Sequence, residues 1–108
     1  MGDVEARVQD NPVSGRFEVL VDEEVAGFVE YQRNGSTVLF IHTEVDPRVE
    51  GHGVGSILAA GALDVARSQR SSVLPFCPFI RDYIERHPGY LDLVPADQRA
   101  RFRLAVSP

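Results

Sequence analysis

The sequence has no lysine. All eleven basic side chains among its 108 residues are arginines, a bias that a GC-rich genome accounts for without any function. The absence still excludes a lysine base, a Schiff base and a P-loop lysine. Basic residues are also outnumbered, giving a net charge of −5. Neutralising a nucleic-acid backbone needs a basic face, so a nucleic-acid partner is not expected, while a cationic partner such as an amine is mildly favoured. There is one cysteine, Cys77, so no internal disulfide can form. No apolar run approaches the roughly 18 residues of a membrane helix. Met1-Gly2-Asp3-Val4-Glu5 is acidic, without the apolar core of a signal peptide. Gly2 is not a myristoylation site, because Ala6 stands where Ser or Thr is needed. No membrane partner is expected, and the expected location is the cytoplasm. No His, Cys or carboxylate set shows metal-ligand spacing, so no metal is expected.

What remains is the composition of an ordinary globular chain, 44% hydrophobic and 25% charged, long enough for a single domain over residues 1–108 with a small core. The first 45 residues read as an antiparallel meander. Val4 to Val8 alternates weakly and is broken by Asn11-Pro12 and Ser14-Gly15. Arg16 to Val21 alternates as a half-buried strand, and Asp22-Glu23 makes a tight polar turn. Val25 to Gln32 follows, with Val25, Gly27, Val29 and Tyr31 sharing a face. Asn34-Gly35 is the strongest hairpin signal and leads into Thr37 to Val45.

The period then changes from 2 to 3.6. Val54, Ile57, Leu58, Gly61, Ala62 and Val65 recur on one face of a helix expected from about Gly53 to Gln69. Val73 to Phe76 is a short strand, so the helix is a right-handed crossover to a parallel neighbour. Phe79, Ile80, Tyr83, Ile84 and His87 share helical spacing after Pro78, and Pro88-Gly89 ends that helix. The tail around Phe102 is a short helix or strand with a frayed end.

Between strand and helix stand Gly51, Gly53 and Gly55. Glycines let a backbone approach a ligand and aim N–H groups at it, and a helix start adds its positive dipole end. The combination suits phosphate and points to a coenzyme pyrophosphate cradle over Gly51, His52, Gly53, Val54, Gly55 and Ser56. The plainer reading is a tight turn with no ligand. A Walker motif is excluded by the missing lysine. A dinucleotide fingerprint is a poor match, because antiparallel strands precede the loop.

These residues resemble a known family. A strand ending Val45-Asp46-Pro47, then Glu50-Gly51-His52-Gly53-Val54-Gly55 and an apolar helix, is similar to the acetyl-CoA motif of the GNAT superfamily of N-acetyltransferases. The segments Cys77-Pro78-Phe79 and His87-Pro88-Gly89-Tyr90 resemble a short branch of single-domain proteins of about a hundred residues. The resemblance covers roughly residues 16 to 94. It implies an α+β (mixed α/β) fold: a mostly antiparallel mixed sheet, one main helix after the glycine loop and a shorter second one, without the early helices of larger members. It implies acetyl transfer from acetyl-CoA to an amine, small or on a peptide, by a monomer or weak homodimer. A coenzyme A-binding module without turnover is the alternative. Glu50 departs from the usual Arg or Gln, and beside a pyrophosphate it must point away or be paired.

The same resemblance lays the pantetheine arm along the strand edge at Glu44 and Val45, with Arg48, Arg81 or Tyr83 near the outer phosphate and adenine. Two catalytic candidates follow. Cys77 stands at a helix N-terminus, where a thiol is expected to have a lowered pKa. It suits a nucleophile, or a general acid for the departing thiolate, or else it is a buried small hydrophobe. His42 shares a strand face with Glu44 and is the first choice for the base that deprotonates an amine. Its plainer reading is a histidine bonded within the sheet. His52 meets phosphate or faces water, and His87 is expected to meet the last helix carbonyls.

Overall fold

The computed structural model describes residues 5–49 and 51–104. Gly2, Val4, Glu50 and the chain end from residue 105 lie outside the described residues. Five strands form one sheet in chain order: β1 (Ala6–Asn11), β2 (Arg16–Val21), β3 (Glu24–Asn34), β4 (Thr37–Val45) and β5 (Ser72–Pro75). β1 to β4 pair antiparallel, and β5 lies parallel to β4. Helix α1 (Val54–Ser68) is the crossover that the β4-to-β5 step requires. Helix α2 (Pro78–Arg86) follows β5, with Pro78 in its first turn, where no backbone N–H is missed. Short 3₁₀ turns at Pro88–Leu93 and Ala96–Gln98 carry the tail back. No helix among the described residues is long and apolar enough to cross a membrane.

Inward side chains of the sheet, Phe17, Val19, Val29, Val38, Phe40 and Val73, meet both helices in one core. β1 runs later than expected, because pairing from Ala6–Val21 to Asn11–Arg16 carries it past its weak alternation. β3 also departs from its simple period. Val19 pairs with Gly27 and Leu20 with Val25, which leaves Ala26 as the extra residue of a β-bulge. The phase flips there, so Ala26 is buried and Val25, expected inward, is 48% exposed.

The buried stripe of α1 is likewise rotated from the expected one. It is Val54, Leu58, Ala59, Ala62, Leu63 and Ala66, with Ile57 exposed. Small side chains decide this by letting the helix sit close to the sheet. At Gly61 the approach is so tight that a Cβ would stand 2.6 Å from Val8 Cγ2.

Candidate functional site

The site begins with a second bulge. Glu30 pairs with His42 and Tyr31 with Phe40, so Ile41 is the extra residue in β4. Before it Val38 and Phe40 are buried; after it the alternation continues with Thr43 and Val45 half-buried and His42 and Glu44 exposed. Without the bulge, strict alternation from Phe40 would have carried His42 into the core. With it, His42 Nε2 and Glu44 Oε2 pair at 2.8 Å on the open face of the sheet. Phe28 stands beside that imidazole, ring centroids 6.3 Å apart.

At the same place β4 loses its other neighbour. β5 pairs with β4 only as far as Phe40–Pro75. The last link is the Cys77 N–H, which donates to Phe40 O at 2.9 Å. The chain then turns into α2 through Cys77, which is extended, and Pro78. Residues 41–45 therefore run on without a strand on that side. The space becomes a groove of about 260 Å³, bounded by Val45, the glycine loop, Phe79, Tyr83 and Arg86.

The loop's geometry suits an anion. Gly51 and Gly53 have φ of 90° and 75°, a region open to glycine and costly for other residues. Gly53 caps α1 without any side-chain hydrogen bond. The first intrahelical bond runs from the Ile57 N–H to Gly53 O at 3.1 Å. The N–H groups of Val54, Gly55 and Ser56 are thus left at the positive end of the helix. Gly55 does a different job: a Cβ there would lie 2.9 Å from Phe79 Cζ, where α1 and α2 close the groove.

Cys77 is 2% exposed, and its Sγ lies 3.2 Å from Thr43 Oγ1. Burial pushes this thiol's pKa up, against smaller lowering effects from the Thr43 hydrogen bond and the N–H groups of Ile80 and Phe79. The expected low pKa is thereby corrected. The helix start does favour thiolate, but desolvation of the charged form outweighs it.

Of the residues singled out above, Val45, Gly51, Gly53, Val54, Gly55, Ser56 and Tyr83 are brought to the groove. Arg48 is not. Its guanidinium folds onto Asp46 at 2.6 Å, and both line a separate depression with Glu24 and Val25. His52 is exposed in its turn. The Glu44 side chain points to the open face, so only its backbone borders the free edge. Arg81 lies not at the groove but at a second depression, with Pro75 and Phe76 at the end of β5. His87 Nδ1 lies 2.9 Å from Tyr83 O, so it carries the proton and meets the helix end as expected. Thr43, Phe79 and Arg86 were missed. Phe79, Tyr83 and Arg86 are spaced i, i+4, i+7, a visible helical face, but nothing local says that this face meets the start of α1.

Residues 16–93 match a family model described as GCN5-related N-acetyl-transferase. The chain is similar in fold to a GCN5-like candidate N-acetyltransferase from Staphylococcus aureus, with a TM-score of 0.62 and 21% identity over 87% of this chain and 90% of that one. A further similarity, to nourseothricin acetyltransferase, has a TM-score of 0.47 and 25% identity over 68% of this chain and 58% of that one.

Proposed function

Because the chain belongs to the GCN5-related N-acetyl-transferase family, we propose that it transfers an acetyl group from acetyl-CoA to an amine. Family membership supports acyl transfer; donor and acceptor are our reading of the site. The observation that carries it is one groove joining the free edge of β4 to the uncapped, glycine-built start of α1. The N–H groups from Gly51 to Ser56 would hold the diphosphate. The backbone at Glu44 and Val45 would pair with the amide-bearing pantetheine arm, as a strand edge pairs with an added strand. Tyr83 and Arg86 would meet the outer phosphate and adenine at the rim.

When bound, the thioester supplies an activated acyl carbon: its carbon–sulfur bond breaks as a carbon–nitrogen bond forms. One proton leaves the amine nitrogen and one arrives on sulfur. His42 suits the first. Glu44 accepts the Nε2–H, which leaves the Nδ1 lone pair to take the amine's proton. Cys77 suits the second. A thiol kept protonated by burial, with Thr43 beside it, is a proton donor at the β4–β5 gap rather than a standing thiolate nucleophile. The same burial favours a second reading, a coenzyme A-binding module in which Cys77 is structural.

Calorimetric titration with acetyl-CoA, followed by an amine panel and intact-mass analysis, decides among these. Micromolar to millimolar binding with transfer to some amine is expected, without a stable acyl adduct on Cys77. Binding with no transfer across the panel selects the module; no binding at millimolar acetyl-CoA removes both readings.

A further inference from the structure

Beyond the end of β5 the tail folds back and closes a second depression, of about 540 Å³. Pro75, Phe76 and Pro78 form one wall; Arg101, Phe102 and Arg103 form the other. The first wall is made by the chain on either side of Cys77, so the depression opens beside the gap where β4 and β5 part.

Arg81 builds this wall rather than filling the depression. Its Nε and Nη2 donate to the carbonyls of Phe102 and Arg103 at 2.8 and 2.6 Å, while Asp82 and Glu85 neutralise it. Every hydrogen-bonding direction of that guanidinium is used, and the tail is pinned to α2. Phe102 is thereby set edge-on against Phe76, centroids 5.1 Å apart.

The other two arginines are different. Arg7, Arg16, Arg48, Arg67 and Arg81 each have a carboxylate partner. Among the described residues Arg101 and Arg103 have none; Arg33, Arg70, Arg86 and Arg99 also lack one, but of these six only Arg101 and Arg103 line the depression. Arg101 donates only to Gln98 at 3.1 Å. Its guanidinium lies over the Phe76 ring, 4.9 Å from the centroid, and Phe76 is 41% exposed. Two guanidinium groups with no carboxylate partner among the described residues line the depression, and one of them, Arg101, lies over its exposed aromatic floor; together they match an anion on a flat apolar body.

We infer that this depression is the acceptor subsite, and that the acceptor is an amine carrying a carboxylate or phosphate on a planar apolar body. The inference rests on the acyl-transfer reading above and adds the substrate class. The anion pairs with Arg101 and Arg103, the body lies against Phe76, and the amine reaches back past Pro75 toward the gap.

The test has two arms. In the first, the isotope-labelled protein is titrated with benzoate, phenyl phosphate and, as a cationic control, benzylamine, and NMR shifts are followed. The anions are expected to move Phe76, Phe102 and Arg101 signals, and the double variant Arg101→Gln/Arg103→Gln to abolish this. Both positions are exposed, so folding is retained, and an unchanged acetyl-CoA Kd checks it. Anion-induced shifts elsewhere, or none, overturn the subsite.

In the second arm, acetyl transfer is compared within matched pairs, phenylalanine against phenethylamine and O-phosphotyramine against tyramine. The anionic member of at least one pair is expected to win by roughly tenfold in kcat/KM, the worth of one charge-assisted hydrogen bond, and the double variant to remove that preference. The two pairs separate carboxylate from phosphate recognition. Parity in both pairs, or a preference that survives the double variant, overturns the acceptor assignment. If acetyl-CoA does not bind and no amine is acetylated, the acyl-transfer reading itself fails, and the first arm still decides whether the depression binds anions.

Discussion

Thr43 Oγ1 meets Cys77 Sγ at 3.2 Å at the point where β4 and β5 part. The contact exists because Ile41 is bulged out of register. The bulge turns Thr43 inward to the thiol and His42 outward to Glu44. One extra residue thus puts a protonated thiol on one side of β4 and an imidazole on the other, flanking the gap.

Thr43→Val is expected to raise the Cys77 pKa further, because the Thr43 hydrogen bond is a lowering influence on a thiol that burial already holds high. The Cys77 Cβ chemical shift followed against pH reads this directly, and a downward move contradicts the assignment. Cys77→Ala is expected to cut kcat about 10- to 100-fold with little change in acetyl-CoA Kd, the pattern of a lost proton donor. Full activity in that variant would reduce Cys77 to packing.

His42→Ala is expected to lower kcat/KM by about 10²–10⁴, the usual contribution of a positioned base, while calorimetry shows acetyl-CoA binding intact. Glu44→Ala, which frees the imidazole without removing it, is expected to cost less, about tenfold. Were the two variants to keep wild-type turnover, the pair would be ordinary surface decoration of the sheet.

Three glycine variants separate folding from binding. Gly61→Ala drives a methyl to 2.6 Å from Val8 Cγ2 and is expected to lose roughly 1–3 kcal/mol in chemical denaturation. Gly53→Ala keeps open space around the new methyl but holds it at φ 75°, a cost of about 1–2 kcal/mol, and Gly53→Asn is expected to lose less. Gly55→Ala meets the far edge of the Phe79 ring, which can shift. Its melting temperature is expected to change little while acetyl-CoA affinity falls about tenfold as the groove narrows. Unchanged affinity at Gly55 would detach the groove from the cofactor.

Two tyrosines predict the alkaline limb of stability. The Tyr31 hydroxyl donates to Asp10 at 2.6 Å and the Tyr90 hydroxyl to Asp64 at 2.8 Å. Each pKa is pushed up to about 12 from 10.0, by burial first and the carboxylate second. A pKa raised in the folded state favours the protonated form there. The stabilisation is therefore complete below pH 10 and declines from about pH 10 as the pH rises through about 12. Urea titrations across that range should show the decline, and Tyr31→Phe with Tyr90→Phe should flatten it.

Much of this was legible in the chain itself. Asn34-Gly35 announced the hairpin, the change of period after Gly55 announced α1, and Cys77-Pro78 announced the start of α2, because turns, caps and helical periods depend on residues close in sequence. The three glycines before an apolar helix likewise announced an anion-ready loop. What the sequence by itself could not determine was phase and desolvation. The bulges at Ala26 and Ile41 arise from pairing between strands, and they decide that Val25 faces out, Thr43 in and His42 out. The high Cys77 pKa depends on which distant side chains exclude water from Sγ. Arg86 at the groove and Arg101 over Phe76 are products of how α2 and the tail pack back on the sheet. Those contacts join residues far apart in the chain, so only the tertiary structure could decide them.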